Sequence, residues 1–405
     1  MANTLKVVDM VLKEAQRIAH EKLTFIGTTD LQYDKSFTYD SNRGPNGQSL
    51  RVRKPNKYYR RQGSRVMDVQ DQSEETQTIT AATQDGVDMR FNSAELMQSV
   101  NSDGAFDNLS RHYIEPAVSV LVSGIEGDYL NYVTPLVYNL VGTPGTPPTS
   151  LTEWGQARAK LNQNLAPKDD MRSIQCDSVT MGGMVNGLKG LFHDSTQIKK
   201  QYREGMIGRT SGFDWYENER NYVHTNGADV LGAVNQTTFT NGMTSITVDA
   251  LTAAPEAGSV FTIASCYQVH PETKQTYPHL QQFTVTSATT TSISFTPALY
   301  FSTTSDKAKQ NVSASPADND AVTFVGSAST SYLQNLAYHK EAFQFVTADL
   351  PIMDDAHKCQ RLTKDNLSLR LWLGSDIRND ELLMRLDILY GFAALRPEWA
   401  CRVTN

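Results

Sequence analysis

Apolar residues recur at three- and four-residue spacing near the start of the chain: Leu5, Val8, Leu12, Ala15 and Ala19, reinforced by Val11 and Ile18. That period predicts a helix capped by Thr4 and ended by Gly27, with one apolar stripe that needs a body or a neighbouring subunit to pack on. A longer stripe of Ile114, Val118, Leu121, Ile125 and Tyr129 predicts a helix from about Asp107 to Tyr132. Pro116 belongs in its first turns, since deeper inside it would remove a hydrogen bond, and Gly124 and Gly127 weaken the helix. Ser150 and Glu153 have capping-box spacing and open a helix with Ala157, Leu161 and Leu165 on one face. A strand is expected over Met171–Val179, and Ser195 can cap one more short helix ending at Gly205.

The period then shortens to two. From Thr225 to about Gly326, short runs (Ser245–Val248, Ser259–Ala264, Gln282–Thr286, Ser292–Thr296 and Ala321–Val325) are separated by Gly, Pro, Asn and Asp clusters, as in an all-β barrel or sandwich. This reads as a domain inserted in a loop, so its ends must lie close together for the host to continue across them. At Tyr332–Pro351 the chain rejoins that host. Phe343, Phe345 and Thr347 fall at every second position, which predicts a strand with one face packed, and His339 with Lys340 reads as a polar hinge between insertion and host. Leu367, Leu369, Leu371 and Leu373 share one strand face, and Leu386, Ile388 and Tyr390 continue a second core strand before Gly391 and Pro397. Nearer the front, Asp85-Gly86 between Thr78–Thr83 and Val87–Phe91 has the form of a tight hairpin turn, and Asn92 with Glu95 that of a helix cap.

Charge redraws one part of this picture. Between Asp40 and Asp68 there is no carboxylate, yet Arg43, Arg51, Arg53, Lys54, Lys57, Arg60, Arg61 and Arg65 all lie there. Asp68, Asp71, Glu74 and Glu75 follow, with no base before Arg90. Strand-like pieces, Ser49–Lys54 and Thr76–Ala82, flank the reversal, so it reads as a long loop or hairpin with a basic limb, an acidic limb and too few apolar residues to bury itself. Such a loop suits a head-to-tail contact in which the basic limb of one subunit meets the acidic limb of the next. The subunit-interface candidates are therefore Arg51, Arg53, Lys54, Lys57, Arg60, Arg61, Arg65, Asp68, Asp71, Glu74 and Glu75. Two other readings use the same stretch: Tyr58 and Tyr59 beside Arg60 and Arg61 as a stacking and phosphate-binding patch, or a merely solvated loop.

Over the whole chain, 37 Lys and Arg stand against 44 Asp and Glu, a net charge of −7, so this is not a polycation built to neutralise phosphates and any nucleic-acid role is local. Cys176, Cys266, Cys359 and Cys401 are far apart, with no Cys-x-x-Cys pair, which argues against a disulfide scaffold or zinc ribbon and for a reducing compartment. The start lacks the basic-then-apolar pattern of a secretory signal and no apolar run is long enough to span a bilayer, so a soluble cytoplasmic product is expected. Nothing demands catalysis. His357 with Cys359 offers two ligands where structural zinc needs four, and His339 to Glu341 is not a His-Glu-x-x-His helix. Gly182, Gly183, Gly187 and Gly190 lack the Gly-Lys-Ser/Thr ending of a phosphate loop and read as turn or helix-packing glycines. No nucleophile elbow is present, and the Asp354-Asp355 pair comes with no pocket that a sequence can show. No catalytic, cofactor-binding or metal residue is assigned.

Three segments resemble the major coat proteins of short-tailed bacteriophages, in the family that carries a β-barrel insertion domain: Gly205–Gly227, Tyr332–Pro351 and Arg385–Val403. The first contains Gly212-Phe213-Asp214 and the exit His224-Thr225-x-Gly227. The insertion is similar through Val260-Phe261-Thr262-Ile263 and Leu280-Gln281-Gln282-Phe283-Thr284-Val285, and re-entry through Ala337 to Phe343. The ending resembles the family's Arg-x-Asp-x-x-Tyr-Gly (Arg385, Asp387, Tyr390, Gly391) with Arg396-Pro397-Glu398. The order matches along nearly the full chain, least well between Asn42 and Asp88.

The resemblance implies an α+β tailed-phage major capsid fold. Residues 1–41 would be the N-terminal arm, 42–88 the extended charged loop, 89–224 and 331–405 the peripheral and axial domains with a spine helix, and 225–330 the inserted all-β barrel. It also implies a structural protein, not an enzyme, that needs no cofactor and self-assembles into the hexamers and pentamers of an icosahedral shell. A scaffolding protein during assembly, a portal at one vertex and double-stranded DNA packaged without specific contacts would be its partners, with no membrane. Its place would be the virion, after assembly in the host cytoplasm. The insertion would assist subunit folding and touch neighbours across the shell. From the residues alone a second class stays open: a carbohydrate-binding module or adhesin-like virion protein with Thr225 to Gly326 as its binding barrel.

Overall fold

The computed structural model describes residues 11–19, 23–33, 39–40, 44–45, 49–61, 63, 65–67, 69–70, 74–92, 110–188, 207–249, 251–301, 306–353, 358–364 and 366–405. The chain divides into two compact units, Met1–Val52 with Thr76–Tyr129 and Phe343–Ala393, and Arg53–Glu75 with Leu130–Ala342 and Ala394–Asn405.

In the first unit a helix over residues 11–19 buries Val11, Leu12, Ala15, Ile18 and Ala19, the expected stripe. Thr4, Leu5 and Val8 lie outside the described residues. The helix does not run unbroken to Gly27: a separate turn, Phe25–Thr28, follows, and the buried Glu126 carboxylate accepts from the Phe25 N–H and the Thr24 hydroxyl. The long helix forms as the spacing predicts. A π-helical turn, Ser110–Ile114, leads into Glu115–Val133, with Pro116 in the first α-turn and Ile114, Val118, Leu121, Ile125 and Tyr129 all buried. Tyr129 sits among Phe25, Phe345 and Phe392, at ring-centroid distances of 4.9, 5.6 and 5.3 Å.

That helix belongs with a six-stranded sheet ordered Asp30–Tyr33, Phe343–Ala348, Glu381–Ala394, Leu367–Asp376, Lys358–Lys364, with Thr83–Asn92 also on Glu381–Ala394. Leu367, Leu369 and Leu371 are buried on one face, as are Leu386, Ile388 and Tyr390, while Leu373 is half-buried. Two expectations need correction. Phe343–Ala348 has both faces buried, because it is an interior strand between two others; Gln344 reaches Asp30 (3.5 Å) and Thr347 donates to the Asn366 carbonyl (2.7 Å). Asp85-Gly86 is not a hairpin turn: Thr83–Asn92 is one continuous strand paired with Glu381 to Tyr390. The glycine answers to crowding instead, since a Cβ at Gly86 would lie 2.8 Å from the Leu386 carbonyl and closer still to the Asp387 carboxylate. Gly391 is constrained in the same way by the Thr80 carbonyl.

The second unit holds a seven-stranded sheet: Leu140–Val141, Ala400–Thr404, Ser331–His339, Arg172–Cys176, Phe213–Glu217, Arg209–Thr210, with Val223–Thr225 also on Ser331–His339. Ser150 caps the helix Leu151–Gln163, accepting from Thr152 N–H and donating to Glu153 (2.8 Å). Its buried face is Trp154, Ala157 and Leu161; Leu165, expected there, follows the helix end with φ 60° and is 38% exposed. The expected Met171–Val179 strand is shorter, Arg172–Cys176, because Asp177 caps a helix, Ser178–Leu188, by accepting from Thr180 N–H (3.2 Å). Gly182, Gly183 and Gly187 lie on that helix, and a Cβ at Gly187 would strike the Thr149 carbonyl, so this glycine serves helix packing. The helices expected after Asn92 and after Ser195 lie outside the described residues, as do Gly190, the Asp354-Asp355 pair and His357.

The insertion is a closed barrel of six strands in the order Leu231–Val234, Met243–Asp249, Ser292–Leu299, Thr276–Ala288, Val260–Val269, Ala321–Phe324. Closure leaves no free strand edge, and Phe261, Phe283, Phe295, Phe324, Ile246, Ile263 and Ile293 fill its interior. A fully buried Phe stabilises by on the order of 2–3 kcal/mol, so four of them make a core for a small barrel. Entry and exit are adjacent: Val223–Thr225 pairs antiparallel with Ser331 to Leu333, and the Thr225 and Ser331 hydroxyls meet at 2.8 Å. His339 is accordingly no hinge to the barrel. It ends the Ser331–His339 strand fully buried, 2.9 Å from Asp169 and edge-on to Trp399 at 5.5 Å, and Lys340 starts a 3₁₀ turn beyond it.

Candidate subunit interface

The charged reversal is a ribbon with a long loop. Ser49–Arg53 pairs with Thr76–Thr80, and Lys54 N–H to Glu75 carbonyl (2.7 Å) closes the loop at its base. Midway, the Gln70 amide takes the place of a ladder rung, accepting from Tyr59 N–H (3.0 Å) and donating to Tyr59 carbonyl (2.7 Å). Nearer the tip, Arg61 donates to the Val66 carbonyl. These bonds hold a segment with no buried apolar side chain: Val66, Met67 and Val69 are 76–78% exposed.

Of the predicted interface residues, Arg51, Arg53, Lys57, Arg60, Arg61, Arg65, Glu74 and Glu75 are exposed and Lys54 is half-buried; Asp68 and Asp71 lie outside the described residues. Some of this charge is paired. Arg53 reaches Glu74 at 3.4 Å, and Glu75 pairs at 2.9 Å with Lys309 of the barrel. The Lys309 ammonium holds the Glu75 carboxyl below its ordinary range and is itself raised by the same bond. The Tyr59 ring faces Lys307 of the barrel at 5.1 Å and is half-buried, while Tyr58 stays 53% exposed. Lys307, Lys309 and Gln70 carried no signal in the sequence: their role depends on proximity, not on spacing.

The barrel and its host meet at a polar seam. Arg402, fully buried on Ala400–Thr404, donates from Nε to Val137 carbonyl (2.7 Å), from Nη1 to Gly258 carbonyl (2.8 Å) and from Nη2 to Thr284 Oγ1 (3.2 Å). Thr284 in turn donates its hydroxyl hydrogen bond to the Pro135 carbonyl (2.8 Å). Beside it the Gln282 amide bonds both ways with Leu140, accepting at 3.0 Å and donating at 2.8 Å. Among the described residues no carboxylate partners Arg402; burial pushes its guanidinium down to about 10, which still leaves it charged at neutral pH.

His224, at the barrel's entry, is buried between Ser259 Oγ (3.0 Å) and Tyr222 OH (3.3 Å). Burial first, then the nearby Arg402 charge, pushes its imidazole down to about 4. A histidine held neutral in the fold but free to protonate near 6.5 when unfolded adds stability that is complete above about pH 6.5 and lost as pH falls toward 4. The loss is at most on the order of 3 kcal/mol for this one group. Melting midpoints of the wild type and His224→Gln, followed from pH 7 to 4, should therefore diverge, with the variant less acid-sensitive. Parallel curves would remove His224 from the acid response.

Among the described residues no helix is long and apolar enough to cross a membrane, and no group of three His, Cys, Asp or Glu could hold a metal ion. The family pattern described as P22 coat protein, gene protein 5, matches residues 61–402. No curated protein sequence matches. Among solved structures the chain is similar to that of Mycobacterium phage Che8, at 11% identity and a TM-score of 0.44 over 88% of this chain and 84% of that one. It is also similar to the capsid of cyanophage P-SCSP1u, at 11% identity and a TM-score of 0.43 over 94% of this chain and 88% of that one. The CUS-3 coat protein I-domain aligns at 24% identity and a TM-score of 0.20, over 24% of this chain and 94% of that one.

Proposed function

The chain belongs to the P22 coat protein family, whose members are structural phage coat proteins and not enzymes, and from that premise we propose that its copies close into the hexamers and pentamers of an icosahedral head enclosing double-stranded DNA. A scaffolding protein guides that assembly and a portal occupies one vertex. Within the subunit, residues 1–41 act as the arm, 42–88 as the extended loop, 89–224 with 331–405 as the peripheral and axial domains, and 225–330 as the inserted barrel.

The exposed loop carries this reading. Arg60, Arg61 and Arg65 are exposed at its basic side and Glu74 at its acidic side, on a segment that buries no apolar residue of its own. Surface of that kind fits a contact between identical copies, where one basic limb meets the acidic limb of the next. Phe261, Phe283, Phe295 and Phe324 are spent on the barrel's interior and leave those rings unavailable to a sugar.

Electron microscopy of the full-length protein expressed with its scaffold tests both statements. Wild-type protein should form closed shells. Arg60→Glu combined with Arg61→Glu should lower shell yield by about tenfold or more, as expected for like charges brought together at a contact, with the subunit's melting unchanged. Protein that stays monomeric with scaffold present would refute the shell reading, and normal shells from the double variant would remove the loop from the interface.

A further inference from the structure

The charged loop is not held by its own residues alone. Two contacts with the barrel fall on one short 3₁₀ turn, Lys307–Lys309: Lys307 lies over the Tyr59 ring at 5.1 Å and Lys309 pairs with Glu75 at 2.9 Å. One contact is on the basic limb and the other on the acidic limb, so the turn grips both sides of the loop.

That turn is built to be stiff. Lys274 donates to the Ala308 carbonyl (2.8 Å) and the Gln310 carbonyl (3.2 Å), stapling the turn from behind. Gln310, itself buried, donates to Val312 carbonyl (3.1 Å), and Asn311 N–H and Val312 N–H both bond the Tyr300 carbonyl. Burial, with Lys57 and Lys307 nearby, pushes Lys274 down to about 8. The loop has no comparable core, so it is the element that gains order from the contact.

We propose that the inserted barrel clamps the charged loop of its own subunit, with Lys307 and Lys309 as the positioning residues, and so presents the two limbs to the next copy already ordered. The clamp itself is a property of the single subunit; its consequence for assembly rests on the loop being the subunit contact. Pre-ordering lowers the conformational entropy lost when the neighbour docks. An exposed ion pair and a cation–π contact are each modest, and together shift the loop between clamped and free by roughly five- to thirtyfold.

Hydrogen exchange on the unassembled full-length subunit tests the clamp directly. Lys309→Glu should speed exchange across residues 54–75 by about tenfold while the barrel strands keep their protection, and Lys307→Met should act in the same direction. Glu75→Lys should behave like Lys309→Glu, and combining the two should restore slow exchange by reversing the pair. Unchanged exchange in Lys309→Glu, or no recovery in the combined variant, would overturn the clamp. Shell yield in the same variants addresses the other premise: a freed loop with undiminished assembly would leave the clamp standing and sink the loop as the subunit contact.

Discussion

Replacing Asp387 by alanine is expected to destabilise the first unit by about 3–5 kcal/mol, the range found when one member of a buried ion pair is removed. Asp387 is fully buried and takes Arg370 Nη2 at 2.6 Å and Arg385 Nε at 2.7 Å. The two arginines differ in what they would suffer. Arg385 has 47% of its side chain exposed and can turn to water, whereas Arg370 has 5% and is otherwise bonded to the Pro351 carbonyl (3.0 Å). The loss therefore falls on Arg370, a cation left in the sheet without a counter-charge. Trp372, whose ring lies 5.6 Å from that guanidinium, gives a local fluorescence signal for denaturant unfolding. Changing Arg370 to Met and Asp387 to Leu together should recover much of the loss, because an apolar pair of similar volume has no charge to desolvate. A loss below about 1 kcal/mol for the alanine variant, the level of an exposed pair, would contradict this account.

Asp387 also shows what could be read from the sequence and what could not. The Arg385-x-Asp387-x-x-Tyr390-Gly391 motif is visible as a resemblance, and the structure gives three of its four positions a cause. Asp387 neutralises Arg370, Tyr390 donates to Asp85 at 2.6 Å, and Gly391 leaves room for the Thr80 carbonyl. Periodicity located the long helix and five of the six barrel strands, because each has one face committed to a core and that commitment is written as spacing. The missed strand, Leu231–Val234, is four residues long and contains Gly232, too little to show a period. Gly86 reads as a turn residue because a glycine demanded by a crowded neighbour looks the same in sequence as one demanded by a turn. The limbs of the loop were legible through the sign of their charge, but Lys307 and Lys309 were not, since more than 230 residues of sequence separate them from it and no spacing ties them to it.

Arg402 should show the second large effect, and the substitution that distinguishes its role is the one that keeps its charge. Arg402→Ala leaves the Val137 and Gly258 carbonyls buried without their donor, and an unsatisfied buried acceptor costs about 1–3 kcal/mol each, so a loss of roughly 2–6 kcal/mol is expected. Arg402→Lys retains a cation but has one donor centre where the guanidinium reaches three acceptors on three segments, so it should restore only a minor part. Hydrogen exchange locates the damage. The Leu140 amide, which donates across the seam to Gln282, should lose protection in both variants, while amides inside Val260–Val269 and Thr276–Ala288 that bond within the barrel stay protected. Loss of protection throughout the barrel would mean that Arg402 supports the barrel's own fold, and full recovery in Arg402→Lys would mean that charge alone suffices. The expected pattern, an intact barrel on a loosened seam, follows from a guanidinium whose acceptors are backbone and hydroxyl oxygens, since those fix an orientation that a point charge does not.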